Sequence, residues 1–244
     1  MPISPLLLAA ALQLPALAAE PPDLTGTWAL EMAVVSAARV PVVGDVKSTS
    51  RTWILITVAP DGLGGLVQDH RVCAAEVKGG VVHTRLPARF IAAIPPKRYA
   101  VQLAPHGDGW SFAADTGTYA MGYDTACSAT VPVEQSDPCV RDPDRDGLPG
   151  ATIQAKAPAF PWVDVYIAQR MHPLLEGAVI SVDRVEGAIL LATMETRVLG
   201  ASNRLFASSP QVTPMAGQSR FRMDRLADSS CSAVLAHFGA AAPM

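Results

Sequence analysis

Three aspartates stand at alternate positions in one short stretch of the chain. Asp142, Asp144 and Asp146 are followed directly by Gly147 and then by Leu148. Hard cations such as Ca²⁺ bind about six to eight oxygen ligands, and a loop can provide them from carboxylates at every second position and from a backbone carbonyl. A glycine after the third carboxylate permits the sharp turn that brings the carboxylates together. The stretch therefore predicts a calcium site formed by the three carboxylates and the carbonyl oxygen of Leu148.

This spacing resembles the first half of an EF-hand-type calcium loop, and it also resembles the short Asp-rich calcium repeats of secreted proteins. The resemblance covers residues 142–153, and we expect a structural Ca²⁺ rather than a catalytic one. Gly150 and Ile153 depart from the pattern, because they stand where such loops place further oxygen donors. The missing ligands must come from elsewhere, and the nearest candidates in sequence are Asp124, Glu134 and Asp137. The alternative is an Asp-rich surface turn whose carboxylates accept hydrogen bonds from their own backbone amides.

The chain lacks the common catalytic and nucleotide-binding motifs: the G-x-S-x-G and H-E-x-x-H patterns, the P-loop and the dinucleotide fingerprint. His70 and His83 lie in what are predicted to be neighbouring strands, and they are the best candidates for an acid–base or metal pair. Lone histidines in strands are more often structural or surface residues. We therefore predict no catalytic residue and favour a non-enzymatic protein.

The N-terminal segment has the features of a secretory signal peptide. An apolar run at residues 6–12 is too short to span a bilayer, and Ala16-Leu17-Ala18 has the small-x-small pattern of a cleavage site. We expect residues 1–18 to be removed. Elsewhere no stretch reaches the ~18 consecutive apolar residues of a membrane helix, so no transmembrane span is predicted. These features predict an extracytoplasmic protein, in the periplasm or secreted.

The four cysteines support the same location, because an even number is typical of proteins in oxidising compartments. Three pairings are possible. Cys127 and Cys139 flank a short segment that leads into the Asp-rich loop, so we favour a bond between them, which leaves Cys73 to pair with Cys231. Free buried thiols are the alternative.

The charge of the chain argues against a nucleic-acid partner. The formal net charge is −3, and the sequence contains no cluster of basic residues that could bind a phosphate backbone. Protein partners are not indicated by any motif.

Short apolar or alternating runs recur between turn residues along most of the chain. Residues 52–58 form the strongest predicted strand, residues 162–170 and 220–224 alternate with period two, and prolines and glycines punctuate the runs. This pattern predicts an all-β fold, an antiparallel β-barrel or β-sandwich of many short strands. We expect one continuous β domain over residues 19–238, with the Asp-rich loop at 137–153 as a mid-chain crossover. Residues 177–182 and 187–198 are expected to form a pair of strands, residues 207–217 a loop because they contain two prolines, and residues 231–238 a last strand or a short helix. A flexible tail is expected at 239–244.

The first predicted strand begins with Gly26-Thr27-Trp28. This Gly-x-Trp resembles the N-terminal signature of lipocalin-like β-barrels. The resemblance implies that the glycine lets the chain turn, and that the tryptophan closes one barrel end, often beneath an arginine from a late strand. The alternative is an ordinary strand start with a core tryptophan.

Three functions follow from these observations. The favoured one is an exported β-barrel that binds a small apolar ligand, with calcium holding one loop; an apolar cavity would support it and a filled interior would exclude it. The second is a structural or interaction protein of the envelope or cell surface. The third is a secreted hydrolase with a non-standard site at His70, His83 or the Asp-rich loop, which requires a base and an orienting partner within hydrogen-bond reach.

Overall fold

The computed structural model describes residues 20–40, 44–80, 82–209 and 211–243. The predicted signal peptide at 1–18 lies outside these residues. Twelve strands and two helices follow one another in the described part of the chain. Their order is β1 (Gly26–Val40), β2 (Gly44–Pro60), β3 (Leu66–Lys78), β4 (His83–Arg85), α1 (Ala88–Ala93), β5 (Lys97–His106), β6 (Gly109–Asp115), β7 (Tyr119–Met121), β8 (Ala151–Lys156), β9 (Val163–Ser181), β10 (Arg184–Ala201), β11 (Gln211–Pro214), β12 (Arg220–Leu226) and α2 (Cys231–Phe238).

The predicted all-β fold is confirmed, but the longest strands exceed the predicted length. β1, β2, β3, β9 and β10 have 13 to 19 residues each. β9 continues through Pro173, which lies beside a register shift in its ladder with β10. A proline is tolerated at such a bulge because the ladder hydrogen bond is already interrupted there. The two helices are short, and no helix among the described residues is long and apolar enough to cross a membrane.

Eight antiparallel strands close into a barrel. The ring of pairings is β1–β2–β3–β5–β6–β9–β10–β12 and back to β1. An eight-stranded barrel has an interior that side chains can fill or that can hold one small ligand. We call the part of the barrel completed by β5, β6 and β12 the lower half.

The five long strands extend beyond this ring, where other strands complete the wall. β3 pairs with β5 over residues 66–70 but with β4 at Val77. Likewise β9 pairs with β6 over residues 174–179 and with β8 over residues 163–167, and β1 pairs first with β12 and then with β11. We call the part completed by β4, β8 and β11 the upper half. β7 pairs with β9 over residues 169–171, between the two halves.

The lower half is filled with side chains. Trp28 is fully buried and donates a hydrogen bond from Nε1 to the carbonyl oxygen of Leu24 at 2.8 Å. The guanidinium of Arg225, on β12, lies 4.5 Å from the centre of the Trp28 ring and donates to the carbonyl oxygens of Asp23 and Thr25. The Gly-x-Trp pattern implied such an arginine over the tryptophan. The interior of the lower half is therefore a packed hydrophobic core and not a ligand site.

The disulfides are the two that were favoured from the sequence. Cys73 is bonded to Cys231 and Cys127 to Cys139. The first bond attaches α2 to the outside of the barrel, where Val234 and Leu235 are buried. The sequence left residues 231–238 open between strand and helix; they are helical, with Ser230 Oγ accepting from the amide of Ala233 at the N-terminus.

One stretch was assigned wrongly. Residues 207–217 read as a loop because they contain two prolines, but β11 lies within them and pairs with β1. Pro214 is its last residue, where the loss of one backbone N–H matters least.

Candidate functional site

A cavity of about 1130 Å³ lies mainly in the upper half of the barrel. This volume is slightly above the roughly 300–1,000 Å³ of common ligand pockets. Its wall follows the period of two of the strands, because alternate side chains face the interior. The apolar members of the wall include Met32, Val34, Ile54, Val72, Val165 and Ile167.

Polar side chains form a smaller part of the wall. Ser36, Ser48, Ser50 and Thr52 come from β1 and β2 and line the cavity with hydroxyl groups; the Oγ atoms of Ser36 and Ser48 lie 3.2 Å apart. From β9 and β10, the side chain of Gln169 donates to Thr196 Oγ1 at 2.9 Å. These side chains are uncharged. The members of each pair, Ser36 with Ser48 and Gln169 with Thr196, form hydrogen bonds with each other. The cavity wall is therefore chiefly apolar with hydroxyl-bearing patches.

Helix α1 joins the cavity to the Asp-rich loop. Phe90 and Ile91 are buried, and Phe90 also lines the cavity. Arg89, between Ala88 and Phe90, points to the loop instead: its Nη2 lies 3.0 Å from Asp146 Oδ2 and its Nε lies 3.5 Å from Asp144 Oδ2. One short helix thus contacts both features. Sequence reasoning missed it, because nothing near Arg89 in sequence indicates a carboxylate partner.

The structure brings Asp142, Asp144 and Asp146 together. One carboxylate oxygen from each lies within 4.8 Å of the others. Asp142 is the most exposed of the three and accepts hydrogen bonds from the amides of Asp146 and Gly147 at 3.2 and 2.8 Å, so it shapes the turn as well. Gly147 has φ of 82°, a left-handed conformation that glycine adopts without strain.

The other two carboxylates are removed from solvent. The side chain of Asp144 is 0 % exposed and that of Asp146 is 5 % exposed. Asp144 Oδ1 accepts no hydrogen bond, and Asp146 Oδ2 has the ion pair with Arg89 but no hydrogen bond. Burial raises the pKa of Asp144, the charge of Asp146 raises it further, and a hydrogen bond from the amide of Thr152 opposes them. Two buried carboxylate oxygens without a hydrogen bond, inside a triad of carboxylates, make a cluster that could hold a cation.

The two ends of the connection from β7 to β8 are pressed against β9. A Cβ atom at Gly122 would lie 2.2 Å from the carbonyl oxygen of Ile167, and one at Gly150 would lie 2.6 Å from the same atom. Only glycine fits at either position. Gly150 therefore departs from the calcium-loop pattern for a packing reason, since it anchors the loop to the barrel wall.

The outside donors suggested from the sequence do not join the triad. The carboxylate of Asp124 pairs with Arg141 at 3.3 Å, and Asp137 Oδ1 accepts from the amide of Cys139 at 2.8 Å. Glu134 lies near Ser136, with 3.5 Å between Glu134 Oε2 and Ser136 Oγ. Leu148 follows the triad, and its amide donates to Asp146 Oδ1 at 2.9 Å.

The two candidate histidines are in different environments. His70 is buried in the lower half, where its ring contacts the Tyr99 hydroxyl and lies 3.0 Å from Gln68 Oε1. His83 is exposed on β4, a strand that meets β3 at Val77, seven residues along the strand from His70. The pair therefore does not form a shared acid–base or metal site.

Comparison with known protein families, with characterised proteins and with solved structures gives no match for this chain. The function is therefore inferred from the cavity and the loop themselves.

Proposed function

We propose that the protein is an exported, non-enzymatic β-barrel that binds a small, mainly apolar ligand in the upper half of its barrel. The observation that carries this proposal is the contrast between the two halves: the lower half is packed, whereas the upper half has a cavity of about 1130 Å³ with a chiefly apolar wall. Apolar surface facing water is unfavourable by roughly 25 cal/mol per Å², so covering it with an apolar ligand stabilises the complex.

Three further features support the proposal. The Trp28–Arg225 stack closes the lower end, which is what the Gly-x-Trp of lipocalin-like barrels implies for a barrel open to ligand elsewhere. Two disulfides are typical of the periplasm or the extracellular space, where the predicted signal peptide would direct the chain. As far as the structure describes the chain, the buried His70 contacts Gln68 and Tyr99 and not a carboxylate that could orient it as a base.

The test of ligand binding uses a neutral fluorescent apolar probe, such as Nile red, and a variant that fills the cavity. Ser50 lines the cavity, whereas Arg51, the next residue on β2, is exposed. We expect Ser50→Trp to reduce probe affinity at least tenfold and the matched Arg51→Trp to leave it within twofold. Equal affinity in both variants, or no binding by the natural chain, would overturn the proposal.

The second part of the proposal is a structural Ca²⁺ held by the carboxylates of Asp142, Asp144 and Asp146 and by the carbonyl oxygen of Leu148. The buried Asp144 Oδ1, which accepts no hydrogen bond, supports a cation there. Within the described ranges, Arg89 is the cation that pairs with both buried carboxylates, and bound Ca²⁺ would supply further positive charge there. Its role would be to hold the loop against the wall at Gly150.

Calcium binding is tested by thermal unfolding with Ca²⁺ and with chelator. Ca²⁺ at about 100 times its dissociation constant adds about 2.7 kcal/mol, so we expect Tm to rise by about 5 °C or more. Asp144→Asn should abolish this rise. The control Asp137→Asn should retain it, because Asp137 lies outside the triad and an amide oxygen can still accept from Cys139. A rise that persists in Asp144→Asn would place the ion elsewhere.

Arg89 gives an independent check, because it competes with a cation for Asp144 and Asp146. We expect Arg89→Met to lower Tm in chelator and to enlarge the increase produced by Ca²⁺. Arg85→Met is the control, since Arg85 stacks on Trp162 instead of reaching the loop.

A further inference from the structure

In the described part of the chain, four charged side chains line the cavity, and the two acidic ones have partners of opposite charge. Glu76 pairs with Lys78 at 2.8 Å, and Asp124 pairs with Arg141 at 3.3 Å. The other two are cations, Lys97 and Arg170. Among the described residues, neither has a carboxylate oxygen within 4.0 Å of its nitrogens. The wall is therefore chiefly apolar, with equal numbers of acidic and basic side chains, and the two basic ones have no carboxylate partner among the described residues.

Lys97 is the first residue of β5, and its ammonium faces neutral groups. Nζ donates to the carbonyl oxygen of Thr118 at 2.8 Å and lies 5.0 Å from the centre of the Tyr119 ring. An ammonium has three N–H donors, so further donors remain for a ligand. The neighbouring Asp69–Arg98 ion pair, at 2.7 Å, already occupies the nearest carboxylate on β3.

Arg170 has a similar lack of an anionic partner. Its Nη1 donates to the carbonyl oxygen of Ala129 at 2.6 Å, but its Nε is buried and has no acceptor. Glu195 stands opposite Arg170 in the β9–β10 ladder and pairs with Arg197 at 2.7 Å instead. The hydroxyl of Tyr123, also on the cavity wall, is buried without a hydrogen-bond partner.

Lys97 is the cation directed into the cavity beside β7, because its Nζ contacts Thr118, which directly precedes this strand. Arg170 stands between Gln169 and Met171 on β9, and because successive side chains of a strand face opposite sides, it leaves β9 on the face opposite to theirs, where it contacts Ala129. An anion beside β7 would pair with the Lys97 ammonium, while the rest of the wall offers mostly apolar contact.

We infer that the ligand is an amphipathic anion, with an aliphatic chain in the barrel and a single carboxylate or phosphate headgroup bound by Lys97 beside β7. The inference rests on the proposed function, since it names the ligand class of the same cavity. A neutral apolar ligand would fill the cavity but leave the Lys97 ammonium without an anionic partner.

The experiment compares three ligands of equal chain length: palmitic acid, hexadecanol and hexadecyl phosphate. Each displaces Nile red from the disulfide-bonded chain after delipidation, below its critical micelle concentration. We expect at least one of the two anions to bind about tenfold tighter than the alcohol, because hydrogen bonds between an ammonium and an anion are stronger than those to a neutral hydroxyl. Which anion binds more tightly identifies the headgroup.

Variants then test the cation. Lys97→Met should weaken binding of the preferred anion about tenfold and leave hexadecanol unchanged. Arg170→Met and Lys47→Met are the controls and should leave anion affinity within twofold, because Arg170 leaves β9 on the opposite face and Lys47 is exposed and contacts Gln218. Circular dichroism confirms that each variant is folded.

The outcomes separate the inference from the proposed function. If hexadecanol binds as tightly as both anions, or if Lys97→Met leaves the anion preference intact, the headgroup site is overturned while the apolar cavity remains a binding site. If neither the probe nor any of the three ligands binds, the proposed function itself fails.

Discussion

At the scale of single residues, His70 is a buried base without a charged partner. Burial lowers its pKa to about 3 from an ordinary value of 6.5, so the folded protein keeps the ring neutral while the unfolded chain binds a proton. Stability rises with pH wherever the unfolded state binds more protons. The contribution of His70 is therefore complete above about pH 6.5 and is lost as the pH falls toward 3.

This predicts a difference between the natural chain and His70→Gln. Glutamine keeps hydrogen-bonding groups near Gln68 and Tyr99 but does not titrate. Between pH 7 and pH 4 the free energy of unfolding of the natural chain should fall by several kcal/mol more than that of the variant, up to an order of 4 kcal/mol. Urea unfolding at a series of pH values measures it. The exposed His83→Gln should follow the natural chain; parallel curves for His70→Gln would contradict the prediction.

At the scale of elements, the two disulfides close loops of very different length. Cys73 and Cys231 are separated by 158 positions, whereas Cys127 and Cys139 are separated by 12. In the chain-entropy account a longer loop gives a larger stabilisation, about 5 kcal/mol for the first bond and about 3 kcal/mol for the second. The first bond also holds α2 on the barrel, where it covers Trp53 and Ala74.

We therefore expect Cys73→Ala/Cys231→Ala to destabilise the protein more than Cys127→Ala/Cys139→Ala does. Cys127→Ala/Cys139→Ala should also reduce the stabilisation that Ca²⁺ produces. The reason is that the Cys127–Cys139 bond restrains the segment that leads into the Asp-rich loop. Guanidinium unfolding with and without Ca²⁺ measures both quantities. The reverse order of stabilities would show that strain or residual structure outweighs loop entropy.

The elements also show what the sequence can and cannot predict. Period-two alternation predicted the strand at residues 220–224, and the fully apolar run at 52–58 predicted the centre of β2. Gly177 and Gly187 read as strand ends, yet they face each other inside the β9–β10 ladder, where a Cβ at Gly187 would lie 2.6 Å from Phe221 Cε1. Glycine is needed at both positions because neighbouring atoms pack too closely for a side chain. The local sequence pattern contains no signal for such a contact.

The candidate site was predicted only where its residues are close in sequence. The three aspartates lie within five positions, so their spacing alone indicated the cluster. Arg89 reaches them from α1, and Lys97 lies beside β7 although it belongs to β5. These placements follow from pairings between distant strands, and a single sequence contains no signal for which strands will pair.

At the scale of the whole molecule, the fold assigns stability and binding to different halves of one barrel. The same five strands run through both halves, but the partners that complete the wall differ. In the lower half, Arg225 joins Trp28 on β1 to the carbonyl oxygen of Val182 in the β9–β10 hairpin and to the carboxylate of Asp183 at 3.0 Å. In the upper half, the cavity occupies the interior.

This division predicts that the two properties respond to different substitutions. Arg225→Met removes a stacked cation and several hydrogen bonds, so it should lower the free energy of unfolding by about 2–3 kcal/mol while leaving ligand affinity within twofold. Ser50→Trp should do the opposite: it should reduce probe affinity at least tenfold and change the free energy of unfolding by less than about 1 kcal/mol, because the indole enters empty space instead of a packed core. Urea unfolding measures the free energy of unfolding of both variants, and probe titration measures their ligand affinity. If Arg225→Met weakens binding as strongly as Ser50→Trp does, the two halves are coupled through the long strands and the lower half is part of the binding mechanism.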